Sequence, residues 1–303
     1  VYNEHIDGPI VPKGNVVHFA AESEVTPVDA AGLAAESRGK SFEGWFSGYS
    51  VLKDFDGKGL VVGNSITSFK DLWNGDSSLT SIKNISHWDV SNITNMANLL
   101  KDNSSLETYG EFGTWAAGLG GGKLTNISGL LYNNDKLTND DLAYFGGWDV
   151  TGVTDMSYLL YDADAITTLV NLENWRASSL QTINYAFADM EELTTLDGLA
   201  DWAPGRGGVV SLFTMAHMLE NDLKLSDVTA ITGSAAGGSF WDVSNVTDFS
   251  ALFKNMGRNV WAQKVTKLDL SRWDMRSMTH RSVLPTVTDM MLLGTITAED
   301  MDF

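Results

Sequence analysis

The chain has 303 residues, 43% of them hydrophobic, with no cysteine and a formal net charge of −19. That length suits one large or two ordinary domains, and the missing cysteines exclude disulfides, zinc–thiolate sites and thiol catalysis together. The acidity argues against nucleic acid or anionic membrane as partners at neutral pH, and no apolar run of about eighteen residues offers a membrane-spanning helix.

The opening, VYNEHIDGPIVPKG, is polar and carries no signal segment, as expected of a mature fragment. Thr26 as cap, Pro27 at the first helical position and Asp29 in the first turn predict a helix over 27–37. Phe42, Trp45, Phe46 and Tyr49 follow at near-helical spacing. Residues 1–56 are therefore expected to form an N-terminal capping segment, helical and aromatic-rich, that covers the open end of the core behind it. A ligand-binding aromatic platform is the alternative.

A thirteen-residue phrase then recurs: WDVSNITNMANLL at Trp88, WDVTGVTDMSYLL at Trp148 and WDVSNVTDFSALF at Trp241. Seven tryptophans share its register (Trp88, Trp115, Trp148, Trp175, Trp202, Trp241 and Trp273), spaced by 27 residues or by 27 plus an insertion. Around them the apolar residues step mostly by three, as in Leu79, Ile82 and Ile85, or Leu193, Leu196 and Leu199. After Trp175 the skeleton continues through Leu180, Ile183 and the Tyr185–Phe187 pair. A step of three fits neither a strand nor a long helix. It fits a chain that turns a corner every few residues with its apolar side inward. A unit of this size cannot bury that side alone, so copies must stack. The sequence thus predicts a repeat solenoid of seven to eight coils over 57–278, beginning with a degenerate unit at Ile66, Phe69, Leu72 and Trp73. The tryptophans should form a core column, as should Val90, Val150 and Val243. The Ser, Thr and Asn between them should bond to backbone at turns.

Three small, glycine-rich insertions break the period: Ala116–Gly122, Ala203–Gly208 and Thr232–Ser239. The first two fall at one point of the coil and should project from one edge. Residues 279–303 are expected to form a C-terminal cap through Val283, Leu284, Val287, Met290, Leu292 and Leu293.

Catalytic motifs are missing. GLGGGK at Gly118–Lys123 fails the phosphate-loop pattern at both ends, and the five histidines lack metal spacing. Asn133, Asn134 and Asp135 with Asn139, Asp140 and Asp141 could bind calcium, without the usual loop spacing. No other cofactor is expected. Charge is uneven: 102–224 is strongly acidic, whereas 254–281 concentrates Lys254, Arg258, Lys264, Lys267, Arg272, Arg276 and Arg281. These seven form the candidate contact patch, with a solvated surface as the bland alternative.

Trp241–Phe253, WDVSNVTDFSALF, and Leu268–Asp274, LDLSRWD, resemble the BspA-like leucine-rich repeats of bacterial surface proteins, and the resemblance covers roughly 60–275. It implies a leucine-rich-repeat-like solenoid, with short parallel strands plus turns or short helices in each coil. It also implies an extracellular place on a bacterial cell surface, an adhesive role and no catalytic residues. Several units run L-x-x-L-x-x-L-x-x-W where the family has L-x-x-L-x-L-S-x-W, so irregular strands are expected there. The expected function is an adhesin domain that binds a host-surface protein, a glycan or another copy of itself. A carbohydrate-binding or polysaccharide-cleaving solenoid is the alternative. A sequence pI of about 4.4 adds the expectation that acid favours self-association.

Overall fold

The computed structural model describes residues 41–58, 60, 62–202, 211–233, 240–257, 270 and 272–279, and the backbone of 16–18. The expected helix at 27–37 and nearly all of the expected C-terminal cap lie outside them.

The chain is organised by one residue per coil. Ser41, Ser68, Asn95, Asn126, Asp155, Thr182, Thr214 and Asp248 pair in parallel, each with the next. Partners across this ladder lie 27 to 34 residues apart. After each bridge residue, four backbone N–H groups donate to the following coil. Phe42, Gly44, Phe46 and Gly48 donate to the carbonyls of Ser68, Lys70, Leu72 and Asn74. The same four positions repeat down to Met215, His217, Leu219 and Asn221, which donate to Asp248, Ser250, Leu252 and Lys254. One residue before the bridge the sense reverses. Thr94 donates to Thr67, Thr125 to Thr94, Thr154 to Thr125, Gln181 to Thr154, Phe213 to Gln181, Thr247 to Phe213 and Thr279 to Thr247. Where the donor is threonine, its hydroxyl bonds to the same carbonyl.

The N–H groups between these four donors do not donate to the preceding coil, as they would in a parallel strand; those of the fourth and sixth residues close turns on the first and third carbonyls, as Leu72 does on Phe69 and Asn74 on Asp71, and the third and seventh residues are left-handed. The third position holds Gly44, Asp71, Asn98, Gly129, Tyr158, Tyr185, His217 and Ala251, all with positive φ. The seventh holds Gly48, Gly75, Asp102, Asn133, Asp162, Asp189, Asn221 and Asn255, likewise. Gly, Asn and Asp accept this conformation readily; Tyr, His and Ala do so at a cost of roughly 1 kcal/mol or more, held by the surrounding bonds. Two such residues in five also prevent a regular strand. Regular strand among the described residues is accordingly confined to a second side of the coil: β1 (Val16–His18), β2 (Asp54–Asp56) and β3 (Ser81–Lys83), parallel and in that order. Single bridges, Ser81 to Thr108 and Thr195 to Asp227, continue that side. Between them, short helices take over: α1 (Gly110–Gly113), α2 (Asn139–Leu142) and, further on, α3 (Thr229–Thr232). At α2 the Asn139 side chain replaces the ladder. Its Oδ1 accepts the Thr167 N–H at 3.0 Å and its Nδ2 donates to Thr167 Oγ1 at 2.8 Å.

The coil bonds begin at Phe42, earlier than the boundary expected at residue 57. Phe42 and Phe46 are buried in a coil of their own, and Trp45 and Tyr49 pack beside them.

The recurring phrase is now readable letter by letter. Its tryptophan is core: the seven in register are at most 6% exposed. From Trp115 onward each indole N–H also donates one coil back, to the carbonyls of Ile85, Phe112, Phe145, Leu172, Leu199 and Ile231 in turn, at 2.9–3.3 Å. The aspartate after it caps a turn, accepting the N–H two residues on in Asp89, Asp149, Asp242 and Asp274. Val90, Val150 and Val243 are buried, as are Ile93, Val153 and Val246. The threonine is the ladder residue, and the Asn or Asp after it is the bridge. Gly152 stands where the other copies have Asn92 and Asn245. The first insertion explains it. Ala116–Gly122 does not project; it folds back, with Leu119 buried and the Gly122 N–H donating to Asp149 Oδ2 at 3.1 Å. A Cβ on Gly152 would lie 1.8 Å from the Gly122 carbonyl oxygen. The second insertion and most of the third lie outside the described residues.

One interior column is polar. Eight residues after the bridge stand Asp76, Asn103, Asn134, Ala163, Met190, Asp222 and Met256, all buried. Asn103 Nδ2 donates to the Trp73 carbonyl at 2.6 Å, and Asn134 Nδ2 to that of Leu100 at 2.9 Å. Asp76 and Asp222 instead use Oδ1 to accept the N–H of Tyr49 and Met190, one coil back. Neither Oδ2 has a hydrogen-bond partner among the described residues. Burial pushes Asp76 from 3.8 up to about 7, against the backbone N–H groups of Tyr49 and Gly48. Burial, with Asp189 adding to it, pushes Asp222 well up too. A carboxyl that keeps its proton resembles the asparagine of neighbouring coils.

The unfolded chain loses these protons near pH 4, whereas folded Asp76 holds its own until about 7. The stability they contribute is therefore complete below pH 4 and disappears as pH rises through 7. Asp76→Asn should stabilise the fold at pH 7.5 by on the order of a few kcal/mol, and Asp222→Asn should act in the same direction. The gain should shrink at pH 4.5; thermal unfolding at both pH values reads it. Gly152→Asn, which copies the other repeats, should destabilise the chain by about 1–3 kcal/mol and speed amide exchange at Gly122.

Candidate interaction face

The third, sixth and seventh residues after the bridge line one side of the stack, partly exposed apart from the buried Gly129, Ala188 and Glu220. In the middle coils this face is tyrosine-rich. Tyr158, Tyr185 and His217 occupy the third position, and Lys101, Tyr132, Tyr161, Glu220 and Lys254 the sixth. The rings stack from coil to coil. Tyr132 and Tyr161 lie 4.7 Å apart between centroids at 16°, Tyr158 and Tyr185 4.8 Å at 4°, and Tyr185 and His217 4.3 Å at 5°. The two columns meet at an angle, with Tyr158 5.7 Å from Tyr161 at 58°. Lys101 closes one end, its ammonium 3.4 Å above the centre of Tyr132. The faces thus cover one another. Tyr158 is 38% exposed.

The seventh position lines this row with carboxylates and amides. Asn133 Nδ2 donates to Asp102 Oδ1 at 2.9 Å, and Asn221 Nδ2 to Asp189 Oδ1 at 2.7 Å. Tyr161 hydrogen-bonds Asp189, and that bond, with burial, pushes its phenol upward. Burial raises the Asp162 carboxyl, and repulsion from Asp164, Asp135, Asp189 and Glu191 adds to it. At the far end Glu220 is buried and bonds to His217 Nδ1 at 2.5 Å and to the Lys254 ammonium. Burial pushes the Glu220 carboxyl up, but the bonds from Lys254 and His217 outweigh it and hold it below its ordinary value. The centre of the row is acidic, and its two ammonium groups sit at the ends.

The seven basic residues marked out by the sequence fare differently. Lys254 belongs to this row, paired with Glu220. Arg276 pairs with Asp274, two residues before it, and Arg272 lies over the Phe240 ring at 5.3 Å. Arg258, Lys264, Lys267 and Arg281 lie outside the described residues. Four of the six candidate calcium ligands have other tasks, Asn133 among them. Asn134 is buried and bonded to the preceding coil and to the Tyr109 hydroxyl. Asn139 holds Thr167, and Asp141 caps α2 through Thr138. Among the described residues no group of three or more His, Asp or Glu is placed to hold a metal ion.

The sequence reading missed the tyrosine row. Tyr185 was expected with Phe187 on the apolar skeleton, but Phe187 is buried and Tyr185 faces outward. A signal was available: Tyr132 and Tyr161, and Tyr158 and Tyr185, are separated by one coil length each.

No helix among the described residues is long and apolar enough to cross a membrane. No curated protein matches the chain. A family model does, at residues 60–140, 125–237 and 209–284, which together take in most of the sequence, and the chain belongs to the family described as "Mycoplasma protein of unknown function, DUF285".

Proposed function

We propose that the stacked coils are a leucine-rich-repeat-like solenoid and that it works as a non-catalytic, adhesin-type binding module. It stands on the outside of a bacterial cell and holds a host-surface protein or glycan, or another copy of itself. The observation that supports this most is the tyrosine row: an ordered aromatic face, fixed by stacking, on a scaffold whose coils are locked by backbone bonds. Tyrosine offers large contact area with little side-chain freedom to lose, which suits protein recognition. The rings cover one another's faces, so a sugar would find few faces to stack on, and a protein partner is the better fit. The absence of any apolar helix long enough to span a bilayer among the described residues is compatible with display outside the membrane.

Beads coated with the protein should adhere to epithelial cells, to an immobilised protein partner or to one another, where albumin-coated beads do not. Adhesion to none of these contradicts the reading, and release of reducing sugar from a polysaccharide contradicts its non-catalytic part.

A further inference from the structure

Aromatic rings in a fixed row, with carboxylates beside them, recognise a narrow class of groups. We infer that the face formed by Tyr132, Tyr158, Tyr161 and Tyr185 with Asp162 and Asp189 docks a basic, arginine-bearing segment of another protein. This rests on the binding reading above and gives it a place and a partner chemistry.

Three observations lead there. The rings stack at 4.3–4.8 Å with near-parallel planes, so the face is organised before a partner arrives. Charge complementarity picks the partner. Asp135, Asp164, Asp189 and Glu191 repel the Asp162 carboxylate from the middle coils, and a cation would relieve that repulsion. The row's own ammonium groups are engaged at its ends, Lys101 over Tyr132 and beside Asp102, and Lys254 on Glu220. A guanidinium fits better than an ammonium, because its planar fork can bond a carboxylate with two N–H groups while its flat surface lies along a ring edge. The row spans Tyr132 to His217, so successive basic side chains of an extended segment would meet successive coils.

The natural variation of the stack supplies substitutions that preserve the fold. Asn already occupies the third position as Asn98, and the seventh as Asn133, Asn221 and Asn255, all with positive φ. Tyr158→Asn with Tyr185→Asn removes two rings without changing charge. Asp162→Asn with Asp189→Asn removes two charges. Glu107→Gln with Glu173→Gln, exposed residues outside the row, removes the same charge elsewhere.

The experiment measures binding of a fluorescent peptide of alternating Arg and Gly by anisotropy at pH 7.4 and physiological salt, with an alternating Glu and Gly peptide as control. The wild type should bind the arginine peptide and not the acidic one. Both row variants should lose about ten-fold or more in affinity, and the Glu107/Glu173 variant should match the wild type. Equal losses from all acidic changes with none from the tyrosine changes would mean diffuse attraction to an acidic protein and overturn the proposal. So would self-association at pH 7.4 that disappears in the row variants, which makes the occupant a second copy, or binding of neutral glycans that disappears likewise. Beads carrying the row variants separate the two readings. If they adhere as wild type does, adhesion stands and this site falls; if wild-type beads adhere to nothing while the peptide still binds, the site stands and adhesion falls.

Discussion

The backbone hydrogen bond from one coil to the next is the constraint on which everything else rests. In an ordinary sheet, successive peptide groups point alternately to the two neighbouring strands. Here the first, third, fifth and seventh N–H groups after the bridge point to the following coil, but the fourth and sixth, instead of pointing to the preceding one, turn back onto carbonyls of their own coil, as Leu72 does on Phe69 and Asn74 on Asp71. That arrangement needs a left-handed residue at the third and seventh positions, and the sequence supplies mostly Gly, Asn and Asp there. Left-handed residues turn their neighbours, so the side chain between two turns points outward. The tyrosine row is the consequence: backbone geometry fixes where outward positions fall, and stacking then aligns whatever rings they carry.

The interior follows from the same spacing. Tryptophans one coil apart lie with ring centres about 6 Å from each other, as in the Trp88, Trp115 and Trp148 series. Each indole N–H from Trp115 onward meets a carbonyl of the preceding coil, whereas the buried indole N–H groups of Trp73 and Trp88 have no hydrogen-bond partner among the described residues. The column at Asp76, Asn103, Asn134 and Asp222 places further polar groups in the interior. Where the residue is asparagine, its amide bonds to backbone carbonyls; where it is aspartate, one oxygen is left over, and the folded state favours the protonated form.

Much of this was legible in the sequence. The step of three pointed to a chain that turns constantly, and the register of the tryptophans and valines marked the buried column. The serine, threonine and asparagine of the phrase were readable as backbone-bonding residues because their chemistry is local, whereas the aspartate that caps the turn was not singled out. What could not be read was direction. Tyr185 and Phe187 are two apart, both aromatic, and equally apolar to a pattern search, yet a left-handed φ of 57° at Tyr185 sends them to opposite sides. Loop return was hidden as well. Gly152 looked like a lapse in the repeat, and only the approach of Gly122 shows why a side chain is excluded. Within the basic cluster, Lys254 and Arg276 each answer a carboxylate.

The direction of the coil-to-coil bonds can be measured amide by amide. Tyr158, Asp162, Tyr185, Asp189, His217 and Asn221 carry side chains that face solvent, and each donates its backbone N–H to the next coil. Residue-resolved hydrogen exchange on the native protein should find all six amides strongly protected. Rapid exchange at these six, at the rate of an exposed loop, would contradict the stacked arrangement itself.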